Sequence, residues 1–111
     1  MKCKNTLKKG SVRCIVFKEA DIWYGVALEF NLIEEGQDPL AVLASLDQAM
    51  QGYIETARKY KMRPLALNQK PDKEYEDLWN ALEANKKIPA KKQVYSFGQN
   101  TGVFSPTEMR P

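Results

Sequence analysis

The chain has 111 residues, which suits one domain with a single core. Its 43% hydrophobic and 28% charged residues favour a folded body, and a net charge of +3 permits nucleic-acid contact without requiring it. With no histidine there is no Ser-His-Asp or Cys-His machinery, and no apolar run approaches the roughly 18 residues of a membrane span.

The N-terminal segment MKCKNTLKKG is basic and lacks periodicity, as a frayed arm would. No apolar stretch follows its lysines, so no signal peptide is read there and a cytoplasmic protein is expected. Cys3 and Cys14, without histidine, cannot build a structural zinc site within one chain. A disulfide between them is disfavoured in a reducing compartment, and Cys14 sits in an apolar run that suits packing.

Residues 12–18, VRCIVFK, are β-branched and aromatic, and predict a strand. Val12, Cys14 and Val16 share one face; Arg13, Ile15 and Phe17 share the other. Glu19-Ala20-Asp21 reads as a polar break, and IWYGVALEF, residues 22–30, as the returning strand of an antiparallel hairpin. Asn31 tolerates a left-handed backbone and turns the chain into a short third strand, 32–35. Gly36 is expected to end it at a positive φ.

Asp38-Pro39 is a helix start, with Asp as cap and Pro at the first helical position. Leu40, Leu43, Leu46, Met50, Tyr53, Ile54 and Ala57 then recur at helical spacing up to about Tyr60. Gly52 inside this helix costs about 1 kcal/mol against Ala, and a close backbone approach is the expected reason. Pro64 stops the helix, and a brief strand is expected at Leu65–Leu67. Asp72 caps a second helix whose apolar face carries Tyr75, Leu78, Trp79 and Leu82. Residues 1–85 therefore read as one α+β domain with a three- or four-stranded antiparallel sheet. Residues 86–111 read as a basic, partly mobile tail, in which VYSF and GVF around GQNTG form either a small hairpin or an arm docking elsewhere.

Residues 12–60, and in particular IVFKEADIWYGVALEFNLIEEGQDPLAVLASLDQAMQGYIE (15–55), resemble the HicB-like family, the antitoxin side of HicA–HicB toxin–antitoxin pairs and its stand-alone relatives. The aromatic opening of the second strand (Trp23, Tyr24), Gly36 before the helix, Asp38 and Leu40–Ala44 carry the resemblance. Where many members have a Pro-Asp-Leu-Pro-Gly-like turn, this chain has Glu29-Phe30-Asn31-Leu32. Residues 61–111 contain one clear helix, and a helix-turn-helix needs two. The resemblance implies a β-β-β-α unit of partial ribonuclease-H-like arrangement. It also implies a binding rather than enzymatic role, homo-oligomers, and a small HicA-like toxin as partner.

Three candidate surfaces follow. With Tyr24, Val26, Leu28 and Phe30 assigned to the long helix, the opposite sheet face carries Ile15, Phe17, Trp23 and Ala27. Leu78, Trp79 and Leu82 cover that face either from the same chain or across a subunit interface, so these seven residues form the candidate partner or self interface. The sheet edges are a further contact surface. Lys86, Lys87, Lys91 and Lys92, with aromatics nearby, are the candidate nucleic-acid contact of an alternative reading. A carboxylate nuclease using Glu19, Asp21, Glu29 and Asp47 is the third. It is opposed by spacing: eight strand residues put Asp21 and Glu29 roughly 26 Å apart, too far to share an ion. No catalytic residue, metal or cofactor is assigned.

Overall fold

The computed structural model describes residues 4–104. β1 (Val12–Glu19) and β2 (Ile22–Ala27) form a hairpin closed by Ala20 and Asp21 alone. Both turn residues have positive φ, 53° and 64°, as in the type I′ turn whose twist matches its strands. This loop fixes the register: Glu19 lies opposite Ile22, Phe17 opposite Tyr24 and Ile15 opposite Val26. β2 ends at Ala27, earlier than the apolar pattern suggests, because Leu28–Phe30 tighten into a 3-10 turn. Asn31 follows in the left-handed region, φ 53°, and launches β3 (Leu32–Gly36).

α1 (Pro39–Lys59) begins as its sequence requires. The Asp38 carboxylate accepts a hydrogen bond from the Ala41 N–H at 2.9 Å, Pro39 is the first helical residue, and Arg58 and Lys59 face the dipole at the far end. The connector forms a 3-10 turn at Pro64–Leu67, not a strand; Pro64 pre-sets a helical φ, and Leu67 is drawn fully into the core. α2 (Lys73–Glu83) follows. Asp72 stands at its N-cap but makes no side-chain capping bond.

β4 (Gln93–Asn100) then pairs antiparallel with β1, giving a four-stranded antiparallel sheet in the order β3-β2-β1-β4. The chain is thus an α+β domain with two helices among the described residues. Of the two readings for VYSF, the arm docking elsewhere is the one that forms, rather than a hairpin with GVF. Docking on β1 supplies Gln93–Asn100 with the ladder partner that the local sequence cannot reveal. A short 3-10 turn, Gly102–Phe104, buries Val103 and Phe104. The expected end of the tail, residues 105–111, and Cys3 lie outside the described residues.

The sheet has a core on each side. Val12, Ala27 and Phe30 pack with Leu46, Met50, Ile54 and Ala57 of α1, and with Leu67, Val103 and Phe104. Ile15, Phe17, Val26 and Leu28 pack with Leu78 and Trp79 of α2. The assignment of Tyr24, Val26 and Leu28 to α1 is therefore reversed; only Phe30 reaches that side, from the 3-10 turn. The two-residue hairpin loop is the cause, since it places Tyr24 and Val26 opposite Phe17 and Ile15. Gly25 and Gly36 lie under α1. A Cβ on Gly25 would meet Val42 Cγ1 at 2.9 Å, and one on Gly36 would meet Val42 Cγ2 at 3.1 Å. Gly36 has no positive φ, so its need is close approach rather than backbone freedom. Gly52 is the reverse: a Cβ there would meet nothing within 4 Å, so no close approach explains it.

The N-terminal segment is pinned from residue 4 onward. Asn5 is fully buried, donates from Nδ2 to the Leu67 carbonyl at 2.8 Å and accepts from the Ser11 N–H at 2.8 Å. Arg58 of α1 donates to the carbonyls of Leu7 and Phe104, tying both ends of the described chain to one helix.

Candidate docking surface

The face under α2 is closed by two charge clasps. Arg13 is the second residue of β1 and points toward α2. Its Nε meets Glu29 Oε2 at 2.5 Å, and its two terminal nitrogens meet the carboxylate of Glu76 at 2.7 and 2.9 Å. Its backbone N–H also donates to Glu29 Oε1, and its guanidinium lies 5.8 Å from the centre of the Trp79 ring. The bond to Glu76 is the largest influence on Arg13; burial opposes it, Glu29 reinforces it, and the pKa is raised. Glu29 is thus a buried structural carboxylate rather than a solvated strand end, because the 3-10 turn folds it back over β1. The sequence signal was Arg13 itself, an unpaired cation within VRCIVF.

The second clasp holds the same first turn of α2, two residues earlier, at the opposite end of β1. Lys92 Nζ donates to Glu19 and, at 2.6 Å, to Glu74, and lies 4.9 Å from the centre of the Phe17 ring. Burial pulls the Lys92 pKa down, but the bonds to Glu19 and Glu74 outweigh it and the value is raised. The bond from Lys92 in turn holds the Glu19 carboxyl below its ordinary range. Lys92 is buried and engaged, so of the four lysines read as nucleic-acid contacts only Lys86, Lys87 and Lys91 stand in solvent.

The seven residues of the candidate interface separate. Ile15, Phe17, Leu78 and Trp79 meet in one core with Leu82 at its margin, so the second helix of the same chain is what covers them. Ala27 is buried on the other side, under α1, and half-buried Trp23 packs edge-on against Tyr95. Both were misplaced by the same hairpin phase. The carboxylates do not converge either: Glu29 is held by Arg13, Glu19 by Lys92, and Asp21 extends into solvent. Among the described residues no group of three or more His, Cys, Asp or Glu side chains could hold a metal ion.

The α1 side is different. α1 runs over β2 and β3, and an open groove of about 680 Å³ lies between its N-terminal half and β4. Leu40, Leu43, Asp47 and Met50 form one wall, Cys14 lies at the floor, and Ser96–Gly102 form the other wall. Leu40 is 61% exposed and Leu43 38%, while Tyr95 and Phe97 stand 46% and 45% exposed on the outermost strand. Its polar groups sit mostly on the β4 wall, at Ser96, Gln99, Asn100 and Thr101, while Asp47 on α1 accepts from Gln51 at 2.6 Å and from Asn100 at 3.4 Å. Burial, followed by the charges of Glu29 and Asp47, pushes the Cys14 thiol up to about 12, so it stays protonated and unreactive at neutral pH. The groove therefore offers an apolar cradle, one carboxylate and an open strand edge. It was missed in the sequence because VYSF, read as a hairpin or a docking arm, had no assigned place beside β1, and Leu40 and Leu43 read as core on helical spacing alone.

No helix among the described residues is long and apolar enough to cross a membrane. No family model matches the chain, and neither does any curated protein or solved structure.

Proposed function

We propose that this chain is a non-enzymatic, HicB-like binding module that masks a partner protein's working surface by holding it in the groove between α1 and β4. The single observation that supports this reading is the exposed apolar rim of that groove, Leu40 and Leu43, beside an outer strand carrying two half-exposed aromatics. The α2 side also exposes Ile33 and Phe97, but Phe97 packs edge-on against Trp79, and Arg13 and Lys92 there are held in ion pairs. An extended apolar segment of a small toxin-like protein fits such a site, its side chains entering the groove between Leu40 and Leu43 and the facing side of β4.

The test is co-expression with the product of a small reading frame adjacent to the gene, with the affinity measured by calorimetry. Binding is expected to weaken at least about tenfold when Leu43 is replaced by Glu, because a charge is then placed on the apolar wall. Unchanged affinity in Leu43→Glu, or no interaction with the neighbouring product, defeats the reading.

A further inference from the structure

We infer that β4 is also a self-association edge: two copies of this chain pair antiparallel through Ser96–Asn100 about a two-fold axis at Gly98. This goes beyond the groove's ligand and does not depend on it.

The two outer strands of the sheet differ in how they treat their free edges. β3 is five residues long and carries Glu34 and Glu35, the short, charged pattern that discourages strand addition. Antiparallel self-pairing there would set like charges close together. β4 is eight residues long, QVYSFGQN, with no charged residue and no proline. It pairs with β1 on one side only, and no described strand lies beyond it. A long, neutral edge bearing half-exposed Tyr95 and Phe97 lacks the usual protection and can accept another strand.

The partner follows from symmetry. An uncharged edge has no like-charge penalty against its own copy, and an isologous two-fold contact is the commonest closed assembly. The register is constrained by the irregularity in β4. Its pairing to β1 shifts between Val16 and Phe17, and Tyr95 falls out of alternation, packing on Trp23 toward the α1 side. From Ser96 onward the alternation is regular. Ser96, Gly98 and Asn100 oppose Val16, Cys14 and Val12, on the α1 side, while Phe97 and Gln99 oppose Ile15 and Arg13, on the α2 side. Residues facing each other across a ladder must share a sheet face. An axis at Phe97 would extend the pairing to Tyr95 against Gln99, which are on different faces. An axis at Gly98 keeps every pair in phase: Ser96 with Asn100, Phe97 with Gln99, and Gly98 with itself.

Gly98 suits that place, since a Cβ there would meet nothing within 4 Å of its own chain. The product is a sheet ordered β3-β2-β1-β4-β4-β1-β2-β3. The two-fold axis then runs through the sheet, so both α1 helices lie on one side and the two grooves merge over the paired β4 strands.

Gly98→Asp tests this. The open surroundings of Gly98 leave the monomer fold intact, as circular dichroism should confirm, yet two carboxylates would face each other on the axis. Sedimentation equilibrium is expected to give a dimer for the native chain and a dissociation constant raised about 100-fold or more for both Gly98→Asp and Gly98→Lys. Mixing the two variants should restore the dimer. In the native chain, dilution below the dissociation constant should speed amide exchange in β4 while β2 stays protected, a readout that needs no variant. A native chain that is monomeric, a dimer that survives Gly98→Asp, or β4 exchange that ignores dilution overturns the inference. Each of these leaves the groove's affinity for a partner to be measured separately.

Discussion

The two faces of the sheet are covered by helices of very different length, and among the described residues the shorter one is the helix held down by ion pairs. α2 has 11 residues and places only Leu78 and Trp79 fully in the core, yet two clasps on its first turn, Glu76 with Arg13 and Glu74 with Lys92, tie it to both ends of β1. α1 has 21 residues and five buried side chains, but it lies over β2 and β3 and leaves β4 uncovered. Helix length does not decide which face is available. What decides it is where the helix axis runs relative to the strand added last. The face under α2 is closed, and the strip between α1 and β4 stays open.

The largest expected effect would break the sealed side. Replacing Arg13 by Met keeps the apolar stem but leaves Glu29 buried with no cation, and is expected to cost about 3 kcal/mol in denaturant unfolding. Adding Glu29→Gln should recover part of that loss, because an uncharged amide has less need of a cation. If Arg13→Met costs under about 1 kcal/mol, the clasp is decoration and α2 is held by Trp79 alone.

Gly25→Ala tests the closed part of the α1 side. The new methyl would sit 2.9 Å from Val42 Cγ1 and 3.3 Å from Leu46 Cδ2, and Val42 is β-branched with little freedom to yield. A loss of about 1–3 kcal/mol is expected, seen as a lowered midpoint with an unchanged denaturant slope. A neutral result would mean that α1 slides easily over β2, and that the groove beside it has no fixed width.

These residues also show how far the sequence could be read. Both helix starts and the β1–β2 hairpin were legible, because the Asp38-Pro39 start, the helical spacing of Tyr75, Leu78, Trp79 and Leu82, and the β-branched runs are local signals. The phase of β2 was not, since it turns on whether the hairpin loop holds two residues or three, and Glu19-Ala20-Asp21 does not say. Gly25 could have settled it: a glycine between aromatic and β-branched neighbours marks the face that a helix approaches closely. The place of β4 in the sheet was hidden for another reason. Its partner β1 lies some 80 residues earlier in the chain, and an edge strand with few buried side chains shows weak alternation. The groove depends on β4, so the site was legible only in its parts.

Acid should loosen the α2 side before the α1 side. The Glu19 carboxyl is held below its ordinary value by Lys92, so its folded pKa lies below the unfolded one. Its contribution is then complete at neutral pH and is lost as the pH falls through the folded value. Lys92 is shifted upward, so it stays charged throughout that range. Amide exchange in α2 is expected to quicken on acidification while α1 remains protected. Equal acceleration of both helices would show that Glu19 clasps nothing.

The smallest expected effect is the one that separates the two sides most sharply. Leu40 is a large apolar residue in the first turn of α1, and its periodicity alone would place it in the core. At 61% exposure it has little buried surface to lose, so Leu40→Gln should change unfolding free energy by no more than about 0.5 kcal/mol. A structural leucine replaced in this way would cost several times more. Stability preserved together with weakened partner binding would make Leu40 a residue kept for contact rather than for folding. A clear loss of stability would put Leu40 in the core after all, and the open side of the sheet would then resemble the sealed one.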